Sequence, residues 1–295
     1  MTYVPVVCMR KCYSKTTDEN GNTPYFIVVL NQGRDARPKS SDKKKEEKKS
    51  HCKLCKNIIE KRMLISEIDD YWLTPNGFPY HNYASLLINK SKNRKQTDNL
   101  RVEEIATWIK TSILLDQYVF CNSQNAGAST IEHQHVQVVD PNEMKMDNEI
   151  VLYPILNKEL VKREPVNGRA DVFKLKNYPV DTLIFIGRDS PYKAAYATNL
   201  LKGMNAGYNV LVNKDEILIV GRNRNPQREV SICMRRKVGG YEITGVALLG
   251  DIEERFGRLQ IKIYGAKVFS NMSYEIIKKN IINATLPLDS ITKHF

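Results

Sequence analysis

Long hydrophobic runs are missing from this sequence. The longest, such as Tyr25 to Leu30 and Leu183 to Ile186, fall far short of the roughly 20 apolar residues that cross a bilayer. The first residues, MTYVPVVCMRKCYSK, have no charged-then-apolar signal pattern, which predicts a soluble, cytoplasmic chain with no membrane partner. Cysteine is scarce. Six in 295 residues do not make a disulfide framework, and the spacing Cys52-Lys-Leu-Cys55 suits metal thiolates or redox chemistry in a reducing compartment. Cys8 and Cys12 lie in strand-like sequence and carry no assigned role. Only 12 prolines and 26% charged residues argue against a generally disordered or collagen-like chain.

An acidic surplus is absent too. Lys and Arg number 45 against 33 Asp and Glu, a net charge of +12, which favours anionic partners such as nucleotides, phosphorylated sugars or nucleic acid. Part of the excess lies in Lys43 to Lys49, a run of mixed sign without apolar residues that reads as a solvated loop. Nucleic-acid binders interleave basic residues with aromatic stacking platforms, and that pattern is missing here.

What is present is a globular chain, 42% hydrophobic, long enough for one large domain or two of about 150 residues. Its first half reads as strand (Tyr25 to Leu30), polar loop (Gly33 to Ser50), strand (Tyr83 to Ile88), helix and strand. The helix has capping oxygens at Asp98 and Asn99, acids at Glu103 and Glu104, and Val102, Ile105, Ala106, Ile109 and Ile113 on one face. A strand from Val119 to Cys121, a small polar loop Asn122 to Ser129 and an alternating strand Glu132 to Val139 follow. The second half partly repeats this order: a strand at Leu183 to Ile186, a helix opened by Asp189-Ser-Pro191, then strands Tyr208 to Val212 and Glu216 to Val220. The spacing predicts two related α+β units joined between Pro141 and Val166.

Two of the five histidines stand as His133-Gln-His135-Val-Gln137. Residues two apart on a strand share a face, so His133, His135 and Gln137 are expected to point one way. Three aligned polar side chains are costly to bury unless something binds them. An imidazole nitrogen can attack phosphorus and hold a nucleotidyl group covalently. The preceding Asn125-Ala-Gly-Ala-Ser129 is small enough to let backbone amides approach phosphate oxygens.

With these residues the chain resembles the histidine-triad superfamily, in its branch containing galactose-1-phosphate uridylyltransferase, the diadenosine tetraphosphate phosphorylases and the GDP-hexose phosphorylases. Four stretches match in order. Arg34-Asp-Ala-Arg37-Pro38 is similar to the family's Arg-x-x-Arg-Pro, Cys52-Lys-Leu-Cys55 to its Cys-x-x-Cys, and Pro75-Asn76-Gly-Phe78-Pro79 to its Pro-Asn-x-Phe-Pro. Asn125 to Gln137 is similar to its Asn-x-Gly-Ala-Ser followed by His-x-His-x-Gln.

The resemblance implies two histidine-triad-like halves, residues 1–150 with the active site and residues 151–295, each an antiparallel sheet with packed helices. It implies that His135 is the nucleophile and Gln137 a hydrogen-bond donor to the transferred phosphoryl group. Arg34 and Arg37 would neutralise phosphate, and Asn76, Asn125 and Ser129 would touch nucleotide or phosphate. Glutamine where the superfamily's hydrolases have a third histidine points to phosphate or a sugar phosphate as acceptor rather than water. The implied activity is a nucleotidyltransferase or phosphorylase on an NDP-sugar or dinucleoside polyphosphate. A noncatalytic zinc or nucleotide-binding protein of the same fold and a nucleotide hydrolase are the alternatives. Relatives are often homodimers, so the resemblance is compatible with a homodimer and leaves the oligomeric state open.

The resemblance also implies a structural zinc on Cys52, Cys55 and His133, residue types that zinc accepts. Asn93 stands where the family has its fourth ligand, with His81 and His51 as the other options. In the second half, Tyr208-Asn-Val-Leu-Val and Ile217 to Arg224 are similar to the family's C-terminal strand pair. The uridylyltransferases' hexose-binding glutamate would align either with Ala247 or with Glu242. The interval from Ser129 to His135 is one residue longer than is common in the family and matches GDP-hexose phosphorylase relatives, which favours a phosphorylase.

Overall fold

The computed structural model describes residues 11–16, 26–31, 52, 54–55, 63–77, 84–124, 126–127, 130–140, 145–146, 149–150, 154–158, 161–223, 246–249, 252–256, 259–263 and 274–295. Along the chain come β1 (Lys11–Thr16), β2 (Phe26–Asn31), β3 (Ser66–Ile68), β4 (Tyr71–Pro75), β5 (Ser85–Asn89), α1 (Val102–Leu115), β6 (Tyr118–Asn122), β7 (His135–Val139), β8 (Lys145–Met146) and β9 (Glu149–Ile150). A 3-10 turn at Pro154–Leu156, β10 (Arg163–Pro165), a second 3-10 turn at Val166–Gly168, β11 (Val172–Leu175), β12 (Leu183–Ile186) and α2 (Ser190–Gly203) follow. The last elements are β13 (Gly207–Asn213), β14 (Glu216–Arg222), β15 (Val246–Leu249), β16 (Ile252–Phe256), β17 (Leu259–Ile263), α3 (Tyr274–Asn283) and α4 (Asp289–Thr292).

Ten of these strands form one continuous sheet in the order β10-β11-β12-β14-β13-β6-β7-β5-β4-β3, with every neighbouring pair antiparallel. The connection order on the two sides is the same. In one, β3, β4 and β5 lie in line, α1 crosses over to β6, and β7 returns between β5 and β6. In the other, β10, β11 and β12 lie in line, α2 crosses to β13, and β14 returns between β12 and β13. β6 and β13 meet in the middle through Asn122↔Asn209 to Val119↔Val212. A separate three-stranded sheet has β1 antiparallel and β15 parallel to β2, and β8–β9 and β16–β17 are two-stranded.

Both long helices cover one face of the large sheet. Leu73, Leu87, Val136, Val138, Val119, Cys121, Val210 and Ile219 line that face and form one core with Ile105 and Trp108 of α1 and Leu201 of α2. The buried stripe of α1 runs through Glu104, Ile105, Thr107, Trp108, Thr111 and Ser112, at helical spacing. It is rotated from the expected stripe: Ala106 is exposed and Ile113 is 56% exposed. The polar residues of the last turns are buried because they are satisfied there. Thr111 donates to the Thr107 carbonyl, and the Ser112 hydroxyl donates to the Gln117 carbonyl while accepting from the Lys214 N–H. The cap differs as well. Arg101 is the N-cap residue, its N–H bonded to the Glu104 carboxylate at 2.9 Å, whereas Asp98 accepts from the Lys95 N–H.

On α2, small residues (Ala194, Ala195 and Ala197) are buried and let the helix lie close to the sheet. That closeness explains Gly221 on β14, where a Cβ would come within 2.9 Å of Leu288 and 3.1 Å of Leu201. The C-terminal segment closes over the same place, with Leu286 N–H bonded to the Gly221 carbonyl and the Phe295 ring 5.0 Å from that of Phe185. Among the described residues no helix is long and apolar enough to cross a membrane.

Candidate functional site

Strand register decides what stands on the sheet face opposite the helices. Trp72 pairs with Ile88, Ile88 with His135, and Asn122 with Asn209, which pairs with Val220. Extending the pairing Phe120↔Gln137 by two residues sets Asn122 opposite His135. One row across five strands is therefore Trp72, Ile88, His135, Asn122, Asn209. The next row is Thr74, Leu86, Gln137, Phe120, Leu211, Leu218. Polar side chains gather where β7, β6 and β13 adjoin.

β7 begins at His135, not at Glu132 as the alternation predicts, so His135 and Gln137 share a strand face while His133 does not belong to the strand. The cause is the turn after β5, which captures the backbone of residues 131–135. Asn89 N–H bonds to the Gln134 carbonyl, Gln134 N–H to the Arg94 carbonyl and Gln96 N–H to the Ile131 carbonyl. The Gln134 side chain is pinned from the helix side by Tyr71 Oη at 2.9 Å and Asn89 Nδ2 at 3.0 Å. His133 then turns inward and is fully buried.

His135 is half-buried. Its Nδ1 lies 3.0 Å from the His133 carbonyl, an acceptor that holds the ring proton on Nδ1 and leaves the Nε2 lone pair for chemistry. Burial pushes its pKa below the ordinary 6.5, so the ring is neutral near pH 7. Gln137 Oε1 is buried with no hydrogen-bond partner among the described residues.

Cys52, Cys55 and His133 converge behind this strand. His133 Nδ1 is 3.2 Å from Cys52 Sγ and 3.1 Å from Cys55 Sγ, and the three ligand atoms lie within 4.8 Å of one another. Zinc bonds of about 2.3 Å to sulfur and about 2.0 Å to nitrogen in a tetrahedron separate those atoms by roughly 3.6 Å, so a small adjustment would admit the ion. His133 Nε2 donates to the Asn89 carbonyl at 2.7 Å. That bond leaves the Nδ1 lone pair facing the sulfurs, the tautomer and backing that metal-binding histidines have. Burial, then the neighbouring Cys52, pushes the Cys55 thiol up to about 11, a cost to its thiolate that a cation held between the two sulfurs would offset. The donor set fits zinc.

Its fold is similar to that of yeast Ap4A phosphorylase Apa2. The structure of that enzyme in complex with AMP is 15% identical, with 94% of this chain and 90% of that one covered and a TM-score of 0.59. Its complex with Ap4A is 14% identical over 94% and 90%, with a TM-score of 0.60. Apa2 without ligand gives 15%, 94%, 88% and 0.60. No protein-family model matches the chain, and no curated protein matches it in sequence.

Of the expected site residues, His135, Gln137, His133, Cys52 and Cys55 come together as described. Asn76 follows β4, its N–H bonded to the Ala84 carbonyl, farther along β5 from Ile88, the partner of His135. Arg34, Arg37, Asn125 and Ser129 lie outside the described residues, as do His51, His81 and Glu242. Asn93 is exposed and lines a polar cavity of about 470 Å³ with Tyr71, Asn89, Arg94, Arg101 and Glu104. Ala247 is in β15, opposite Val28.

Three residues went unrecognised in the sequence. Asn209 Nδ2 donates to Asn122 Oδ1 at 2.6 Å and to the Ala126 carbonyl at 3.0 Å, and its Oδ1 accepts from Arg222 Nη1 at 2.6 Å. Gln96 bridges β6 and β7. The available signal was polarity out of place, since Asn209 and Arg222 interrupt apolar strands.

Proposed function

We propose that this chain is a nucleotidyltransferase of the phosphorylase type. It takes a nucleotide phosphoanhydride, an NDP-sugar or a dinucleoside polyphosphate, and carries the nucleotidyl group on His135 to phosphate or a sugar phosphate. The observation that carries the reading is the bond from His135 Nδ1–H to the His133 carbonyl, which readies Nε2 as a neutral nucleophile. The likeness to a phosphorylase whose structures hold AMP and Ap4A supports the substrate class.

The Nε2 lone pair forms a bond to the α-phosphorus while that phosphorus loses its bridging oxygen, and the departing phosphate keeps the electron pair. An oxygen of the acceptor then attacks the same phosphorus, the P–N bond breaks, and the imidazole recovers its lone pair. Gln137, a neutral amide, donates to a nonbridging oxygen without acting as acid or base. Arg34 and Arg37 neutralise charge on the phosphoryl oxygens, and Asn76, Asn125 and Ser129 hold nucleotide or phosphate. Cys52, Cys55 and His133 would hold a zinc ion with a structural role, tying the segment before β3 to the bend two residues ahead of the nucleophile. In this reading residues 1–150 and 151–295 are two histidine-triad-like halves, a division supported by the repeated strand and helix order.

Intact-mass measurement after mixing the protein with a dinucleoside tetraphosphate or an NDP-sugar tests the mechanism. The wild-type protein gains one nucleotidyl mass, phosphate or a hexose 1-phosphate accelerates nucleotide consumption, and the product contains that acceptor. A folded His135→Asn protein gains no mass. Exchange retained by that variant would sink the mechanism. Equal rates with and without every acceptor, with free mononucleotide as sole product, would make the chain a hydrolase. Nucleotide binding without turnover would make it a binding protein.

A further inference from the structure

Gln96 stands outside every motif, yet it is 5% exposed and touches the nucleophile's main chain. Its side-chain Oε1 accepts the His135 N–H at 2.8 Å, and its Nε2 donates to the Asn122 carbonyl at 2.8 Å. The β6–β7 ladder runs from Tyr118↔Val139 to Phe120↔Gln137 and stops there. Two residues further Asn122 and His135 face each other, and His135 N–H points toward β6. In an uninterrupted antiparallel ladder that N–H would meet the Asn122 carbonyl directly. A primary amide has been inserted between them instead. Passing the bond through a side chain replaces one direct contact by two contacts of 2.8 Å in series across the Gln96 amide.

The insertion has two effects at one place. It anchors the His135 backbone to the turn after β5 rather than to β6, and β6 ends at Asn122, after which Ser123 and Gln124 leave the strand. Gln96 is itself fixed, since its N–H bonds to the Ile131 carbonyl at 3.0 Å and the nearby Arg94 carbonyl accepts Gln134 N–H at 2.8 Å.

We propose that Gln96 is a positioning residue for the transfer, a wedge that sets the distance between His135 and the start of the loop after β6; this rests on His135 being the nucleophile. Attack on phosphorus needs the reacting atoms about 3–3.5 Å apart and aligned, and a misplacement of about 1 Å can cost roughly a hundredfold in rate. Nucleotide affinity depends on contacts spread over many groups and changes far less.

The test compares wild type, Gln96→Met, Gln96→Glu and a control, Trp108→Phe, which disturbs the core on the helix side without touching His135. Gln96→Met keeps the length and loses both bonds; Gln96→Glu keeps the acceptor for His135 N–H and loses the donor to Asn122. At saturating dinucleoside tetraphosphate, Gln96→Met is expected to slow formation of the nucleotidyl adduct about a hundredfold, with the nucleotide Kd within about threefold, while Trp108→Phe changes neither. A folded Gln96→Met with the wild-type rate would overturn the proposal, as would a slowing matched by Trp108→Phe. Should Gln96→Met fail to fold, the same comparison is read from Gln96→Glu. If wild type forms no adduct, the transferase reading fails, and the NMR resonance of the His135 amide still judges the wedge. It should move in Gln96→Met or Gln96→Glu relative to wild type, and an unmoved resonance refutes it.

Discussion

Replacing Glu104 by Gln removes one charge from a pair that is largely buried. The Arg94 and Glu104 side chains are 8% and 7% exposed. Arg94 Nε meets Glu104 Oε1 at 2.5 Å and Nη2 meets Oε2 at 2.6 Å, a two-pronged contact that only a carboxylate can complete. Glutamine keeps the shape but turns an N–H₂ toward guanidinium N–H groups. Losing one partner of a buried pair costs about 3–5 kcal/mol. Asp98, 3.3 Å from Arg94, still balances part of the charge, which lowers the expectation to about 2–4 kcal/mol. At about 2–4 °C per kcal/mol for a chain of this size, Tm should fall by about 5–15 °C. Thermal unfolding followed by circular dichroism measures it, and Arg94→Met, Glu104→Leu and the double variant that combines them make a double-mutant cycle. The double variant should lose less than the sum of the single losses by at least about 1 kcal/mol. A shift under about 2 °C, or strict additivity, would refute the view that this pair holds the turn whose backbone captures Gln134.

Two further outcomes are expected. Cys52→Ser should lower both zinc content and Tm, because binding free energy at such a site is partly folding free energy; protein purified without chelators and free of zinc on metal analysis would remove the metal claim. Burial alone would raise the Glu216 carboxyl, but Arg163 and Lys158 hold it below its ordinary 4.5, so its contribution is present above the unfolded pKa and lost as pH falls from about 5 through the folded value. Tm against pH should therefore drop more steeply for wild type than for Glu216→Gln in that range, and parallel curves would contradict it.

What could be read from the sequence was local. The strands and the two crossover helices follow from apolar runs and from Pro191 at a helix start, and Cys-x-x-Cys with two histidines marks a candidate site by residue type alone. What could not be read depends on contacts distant in sequence. Alternation carries β7 back to Glu132, but Gln134 N–H is taken by the Arg94 carbonyl, and nothing in a period-two pattern reveals a competitor forty residues away. The stripe of α1 was misjudged for a related reason. Periodicity counts apolar residues, whereas Thr111 and Ser112 are buried by virtue of their hydrogen bonds, which turns Ile113 outward.

The proposed chemistry sits on one side of a sheet whose connection order repeats. On the face opposite the helices, β7 presents His135 and Gln137, while β14 presents Leu218 and Val220, both buried, so among these strand positions an imidazole that could serve the proposed attack stands on β7 and not on β14. The other side still reaches the site. Arg222 Nε donates to the Ala284 carbonyl at 2.9 Å, and its Nη1 holds Asn209, whose amide grips both Asn122 and the Ala126 carbonyl. Tyr208 N–H bonds to Ser123 Oγ at 2.7 Å. The stretch that leaves β6 is thus held at Asn122, Ser123 and Ala126 by β13, and at the Asn122 carbonyl by Gln96. Small side chains were read there as room for phosphate. These small side chains make few polar contacts of their own, and β13 fixes the described part of that stretch through the Asn209 amide and the Tyr208 N–H.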